Sequence, residues 1–228
     1  MTDHILQFNA VTLPATDRDN PELAGIDFVL AQGDCFAVRV EEERVCPPLA
    51  DMAMGLLRPS AGCVLLEGRD WAQMSADDVS RARSRIGRVF EEQGWVSNLD
   101  VDENVTLAQR HHTGRSPTEI RAEALRWARR FGRDALLSVR PAWATRHELL
   151  IAQWVRAFMG EPQLLIFERP TRDATDDECT WFLNALREQR QRGAGVIVLA
   201  SDERLLDAAL LTPTLCATVE NDRWEIAG

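Results

Sequence analysis

Two apolar runs, QLLIFERP from Gln163 to Pro170 and GVIVLAS from Gly195 to Ser201, constrain the fold of this chain more than any other feature. Each is too short for a stable helix, lacks polar alternation and is bounded by turn residues. A strand with no polar face must be covered on both sides, and that predicts central strands of a parallel sheet flanked by helices. The stretch between them, TDDECTWFLNALREQRQRG, has helical character and supplies the crossover that parallel strands require.

The rest of the chain fits around that core. Residues 5–13 and 26–40 run apolar and β-branched, with a Gly33-Asp34 turn, and read as strands. Leu49–Leu57 has helical spacing and stops at RPSAG; CVLLEGRDW is a strand closed by a turn at Gly68. Ser75 caps a helix that is acidic at its start and basic at its end, and Ile86–Phe90 is a short strand. Residues 91–150 change character: a loop, EEQGWVSNLDVDEN, precedes amphipathic helices in SPTEIRAEALRWARRFG and from Thr145 onward. The expected architecture is one α/β domain over 1–228, with a core of 1–90 and 151–228 and a helical insert at 91–150. An antiparallel β edge is expected from the N-terminal strands, with Gln163–Phe167 beside Phe36–Val40 and a helix starting near Pro47.

Composition removes several function classes. A formal charge of −10 opposes a nucleic-acid partner, which would require a basic face. No apolar run approaches the length of a membrane span, and MTDHILQFNA does not read as a secretory signal. Five cysteines without a CxxC pair suggest reduced thiols in a cytoplasm, and the four histidines have no metal-ligand spacing. All 26 basic residues are arginine, so no chemistry that needs a lysine is open to this chain.

Three segments, GLLRPSAGCVLLEGRD (Gly55–Asp70), RIGRVFEEQGWVSNLDVDENVTL (Arg85–Leu107) and RAFMGEPQLLIFERPT (Arg156–Thr171), together resemble the nucleotide-binding subunit of ATP-binding cassette (ABC) transporters. The resemblance implies a P-loop NTPase-like fold and a site for ATP and magnesium, but the family's functional positions hold other residues. Counted back from Gly55, the phosphate-loop pattern GxxGxGK[ST] places its glycines on Val40, Glu43 and Val45, its lysine on Cys46 and its hydroxyl residue on Pro47. That loop works through glycine-permitted N–H groups at a helix N-terminus and a lysine. Here Pro47 and Pro48 remove two donors, and each like-charge pair between Glu41–Glu43 and a phosphate at about 4 Å costs roughly 1 to 4 kcal/mol. The Q-loop glutamine falls on Glu91, and the adenine-stacking aromatic on Ala15. Glu168 stands for the Walker B aspartate, Arg169 for the catalytic glutamate and Ser201 for the switch histidine. Arginine stays protonated and cannot act as a general base.

The signature motif falls on Ala144-Thr145-Arg146-His147-Glu148. Thr145 and Glu148 read as a capping box, while the alternative has Thr145, Arg146 and His147 facing a partner's ATP. The resemblance thus implies a catalytically degenerate cassette with no catalytic residue, no nucleotide and no bound metal, acting as a scaffold for a membrane permease. It would be a homodimer, or a heterodimer with an active cassette ATPase, on the cytoplasmic face of the inner membrane. Trp95 and Leu99 are candidate permease contacts, or else fill the core of the insert. GWVSNLDVDENVTLAQRHHTG further resembles cassettes of Mce/Mla-type lipid transporters of double-membraned bacteria. Two alternatives remain at this level: a divergent but working ATPase that binds ATP and magnesium, and a soluble regulator.

Overall fold

A computed structural model describes residues 4–15, 22–92, 94–220 and 223–227. Two sheets form the frame. The first is antiparallel, in the order β2 (Leu23–Ala31), β1 (His4–Leu13), β4 (Ala61–Leu66), β5 (Arg69–Asp70). The second has the order β10 (Arg223–Ala227), β9 (Leu215–Glu220), β3 (Cys35–Val40), β8 (Gly195–Ala200), β7 (Leu164–Glu168), β6 (Ile86–Val89). Within it β9, β3, β8, β7 and β6 are parallel neighbours, and only β10 pairs antiparallel.

Every residue of β7 and β8 is buried, as strands with apolar faces on both sides require. Their two-residue period divides the core. Leu164, Ile166, Ile197 and Leu199 join Phe8, Phe28 and Phe36 between the sheets. Leu165, Phe167, Val196 and Val198 turn the other way, onto Trp154, Phe158 and Phe182 of the helical layer. That layer comprises α3 (Val101–His112), α4 (Pro117–Arg130), α5 (Arg146–Phe158) and α6 (Asp176–Gln191), with α2 (Ala76–Arg83) ahead of β6 and α7 (Glu203–Leu206) after β8.

Three expectations need correction. The strand at 164–168 is buried but does not lie beside β3, because β8 pairs with both and separates them. Strand order depends on how the crossovers pass over the sheet, which apolarity alone does not encode. The helix after the 41–46 loop starts at Leu49, near Pro47 as expected, but it is one turn long, α1 at Leu49–Ala53, and does not reach Leu57. It ends where Gly55 adopts φ +63° under the Trp71 ring, with Leu56 N–H bonded back to Asp51 O at 2.7 Å. The acidic stretch DVDEN is not wholly loop: Asp100 is an N-cap, its N–H bonded to Glu103 at 2.7 Å, and α3 begins at Val101. The hairpin β9–β10 was not read from the sequence at all.

The close approach of β6 to α5 depends on one residue without a side chain. A Cβ at Gly87 would stand 1.9 Å from the Ala157 carbonyl oxygen, and backbone cannot yield as a flexible side chain does. Gly87→Ala is expected to lower unfolding free energy by about 1 to 3 kcal/mol in urea titration. An unchanged midpoint would refute this packing.

Candidate functional site

The carboxyl ends of β3, β7 and β8 and the segment after β6 meet at one point, where an open α/β sheet offers its ligand site. The group at that point is the chain's own Arg169, just past the end of β7, whose side chain is 2% exposed. Its backbone takes φ +44°, a left-handed conformation that a non-glycine residue holds only under constraint. The constraint is visible in the hydrogen bonds. Arg169 Nε donates to Glu91 at 2.8 Å, and Nη1 donates to Ser201 Oγ at 2.7 Å and Glu42 at 3.3 Å. Nη2 donates to the carbonyl oxygens of Glu41 and Arg44 at 2.7 and 2.6 Å. A guanidinium has five N–H donors, and these five acceptors match them. The Ser201 hydroxyl in turn donates to Glu42, and Arg172 Nε lies 3.7 Å from the same carboxylate.

The loop at 41–46 therefore has two of its carbonyl oxygens, those of Glu41 and Arg44, turned inward. A phosphate cradle has the opposite polarity, with N–H groups converging on the ligand. Of the loop N–H groups, that of Cys46 donates to Glu91 at 2.8 Å and that of Arg44 turns back onto the Glu41 carbonyl at 3.2 Å. Pro47 and Pro48 contribute no donor before α1. The cleft that remains, about 210 Å³ and lined by Glu42, Arg169, Thr171, Ser201, Asp202 and Arg204, is below the usual ~300–1,000 Å³ of small-molecule sites. The acceptors around Arg169 suit the cation they already hold and do not fit a magnesium-bound polyphosphate.

A second buried cation lies beneath the first. Arg88 of β6 holds Glu168 in a two-pronged bond, Nε to Oε2 at 2.8 Å and Nη2 to Oε1 at 3.0 Å, while Nη1 reaches Asp51 of α1 at 2.5 Å. Burial pushes the Glu168 carboxyl above the ordinary range, against the pull of Arg88, and the charges of Asp51 and Glu91 push it the same way. Burial, then Glu91 and Glu168, raise the Cys46 thiol in the same manner, so it is no nucleophile.

The remaining sequence-chosen positions divide. Val40 ends β3 in the core, Glu43 is exposed on the loop, and Val45 is 52% exposed. Thr145 and Glu148 close the capping box of α5, with Thr145 N–H bonded to Glu148 at 2.8 Å and Glu148 N–H to Thr145 Oγ at 3.2 Å. Arg146 is exposed beside them. His147 reaches away to α6: its Nε2 is 2.8 Å from Glu178, and its Nδ1 is 3.2 Å from Arg133 Nη2. Trp95 packs against the helical core, whereas Leu99 stays half-exposed in the turn before α3, its carbonyl accepting from Asn104 at 3.2 Å. Ala15 ends the described stretch after β1. Sequence reasoning missed Arg88 and Asp51; the one available signal was an arginine inside an otherwise apolar strand, IGRVF.

No protein-family model matches the chain. It is 26% identical over 91% of its length to the lipoprotein-releasing system ATP-binding protein LolD of Idiomarina loihiensis, covering 92% of that protein. It is also 26% identical to the putative hemin import ATP-binding protein HrtA of Staphylococcus haemolyticus, over 85% of this chain and 87% of that one. A solved bacterial ABC transporter cassette, a dimer, superposes with a TM-score of 0.81 over 98% of this chain and 100% of that one, at 15% identity.

Two outcomes follow from the site. Removing Arg169 strands Glu91, Glu42 and two carbonyls, so Arg169→Gln is expected to cost about 3 to 5 kcal/mol in urea unfolding; a loss below 1 kcal/mol would show the network to be incidental. Burial pushes Glu178 up, but bonds from His147 and Thr175 outweigh it and hold its carboxyl below the ordinary 4.5. A depressed carboxylate stabilises fully above its unfolded value and loses that contribution as pH falls through the folded one. The melting temperature of Glu178→Gln should thus fall less steeply than that of the parent below pH 4.5.

Proposed function

We propose that this chain, which belongs to the ATP-binding cassette subunits of ABC transporters, has exchanged its nucleotide site for an internal ion pair and works as a pseudo-ATPase scaffold. It would seat a membrane permease and a second cassette, identical or active, on the cytoplasmic face of the inner membrane. The observation that carries this reading is the Arg169 guanidinium, at the position of the catalytic glutamate, bonded on all five donors and holding the 41–46 loop by its carbonyls. The position of the phosphate-loop lysine is Cys46, and a lysine-free chain offers no lysine elsewhere to replace it. Among the described residues no helix is long and apolar enough to cross a membrane, so the permease must be a separate chain or segment. The lipid-transport assignment rests on the resemblance of residues 94–114 to Mce/Mla-type cassettes. The lipoprotein-releasing relative acts in a system whose cargo is also lipid-bearing.

The relatives are themselves described as ATP-binding, and this favours a second reading, a divergent ATPase. It requires Arg169 to leave its cage and the 41–46 loop to reverse its polarity when nucleotide arrives. The two readings separate in a melting experiment. A ligand that binds only the folded state at 100 times its Kd adds about 2.7 kcal/mol. Millimolar ATP with magnesium is expected to leave the melting temperature unmoved, both in the parent and, relative to its own ligand-free value, in Cys46→Lys. A rise of several degrees in the parent protein would overturn the scaffold reading and establish the ATPase.

A further inference from the structure

His147, at the start of α5, and Arg133, in the turn after α4, both reach one carboxylate of α6, that of Glu178. His147 Nε2 lies 2.8 and 3.0 Å from the two Glu178 oxygens, while Arg133 Nη2 lies 3.4 Å from Oε1. The same Nη2 is 3.2 Å from His147 Nδ1. A guanidinium can only donate, so Nδ1 is the acceptor of that bond and carries no proton. This fixes the tautomer: the imidazole is neutral and donates its Nε2–H to Glu178. Glu178 thus has two candidate cations, and in this arrangement only Arg133 is charged.

Arg133 is poorly satisfied in that role. Its bond to the carboxylate is long, and its Nε is buried without a partner among the described residues. The remaining bonds of Glu178 belong to its own helix cap, from Thr175 N–H at 3.0 Å and Thr175 Oγ at 3.1 Å. Besides Arg133 and Glu178, His147 faces the charge of Glu148 on its own helix, whose carboxylate closes the cap on Thr145, and Arg146 beside it is exposed. Imidazoles gain their charge between about pH 5 and 8. Burial pushes Glu178 up, but bonds from His147 and Thr175 hold its carboxyl below the ordinary 4.5, so it stays ionised over that range. A proton on Nδ1 therefore sets N–H against N–H at Arg133, and gives Glu178 a second cation at closer range.

We propose that Glu178 exchanges cations with pH: it is paired with Arg133 while His147 is neutral, and with His147 once the imidazole is protonated. α6 is the crossover between β7 and β8, whereas α5 and the turn after α4 lie between β6 and β7 in the chain. The exchange therefore decides which part of the helical layer is tied to that crossover. In acid α5 holds α6 through the imidazolium, and the turn at Arg133 is let go. That turn leads into residues 134–143, where Trp143 is 81% exposed, so the proton acts at the base of an exposed surface segment. The switch does not depend on the scaffold reading, since its residues take no part in the bonds of Arg169.

Two measurements on the full chain test this. In a nuclear magnetic resonance titration between about pH 8 and 5, the Arg133 Cζ signal should shift with the same midpoint as the His147 ring. The ring is assigned by its loss in His147→Gln, and in that variant the Arg133 signal should stay in place. An Arg133 signal that ignores the His147 transition, or that moves equally without the imidazole, would overturn the proposal. The second measurement is thermal unfolding of Arg133→Gln. Its melting temperature should fall by about 2 to 4 °C at about pH 8, where Glu178 loses its cation, and by roughly half of that or less at about pH 5.5, where the imidazolium takes over. An equal loss at both pH values counts against the exchange. Should Arg133→Gln not fold, Arg133→Lys assigns the Cζ signal and the titration decides alone.

Discussion

A single guanidinium in a cage of carbonyls and carboxylates organises the ligand-binding end of the sheet. Arg169 ties the loop after β3 through two carbonyl oxygens, the segment after β6 through Glu91 and the end of β8 through Ser201. These segments lie 32 to 128 positions from Arg169 in sequence. An open parallel sheet leaves the carboxyl ends of its strands without neighbours, and loops there are ordinarily organised by what they bind. Here a side chain provides the ordering charge. The left-handed backbone at Arg169 is the local cost, and five donated hydrogen bonds are what hold it.

The run of glutamates at 41–43 has three separate explanations in this arrangement. Glu42 contributes its carboxylate to Arg169, Glu41 contributes only its carbonyl, and Glu43 stands exposed. Like charge accumulates in this loop because the centre it surrounds is positive, the reverse of a phosphate site. The second cation, Arg88, repeats the logic one layer down with Glu168 and Asp51. Each buried arginine thus has two acids, a balance that limits the desolvation cost of both.

The strands and capped helices were legible because their signals are local. β7 and β8 declare themselves by apolar runs with no polar face, and α5 by Thr145 and Glu148 three residues apart. What was not legible depends on tertiary approach. The interposition of β8 between β3 and β7 follows from crossover paths, and the early end of α1 follows from the fit of Gly55 beneath Trp71. Sequence comparison marked Arg169 as the wrong residue for catalysis. It gave no hint of the cage, since backbone carbonyls from Glu41 and Arg44 carry no sequence signature. The beginning of α3 was hidden for another reason: its acidic first turn, favourable at a helix N-terminus, has the composition of a loop.

Phe90, Glu91 and Gly94 are each held by bonds to other parts of the chain. Phe90 N–H donates to Gln153 at 2.9 Å, Glu91 is fixed by Arg169 and by Cys46 N–H, and the Gly94 carbonyl accepts from Arg156. Two of those partners, Gln153 and Arg156, lie on α5, while Arg169 lies at the end of β7. The segment is therefore clamped between the helical layer and the sheet by the protein's own groups. On the scaffold reading no small molecule is needed to set its position, and this is the feature that matters for coupling. A surface that does not move with nucleotide can hold a permease in register with an active partner cassette, but it cannot itself drive the permease between states. Mechanical work in such an assembly would have to enter through the partner.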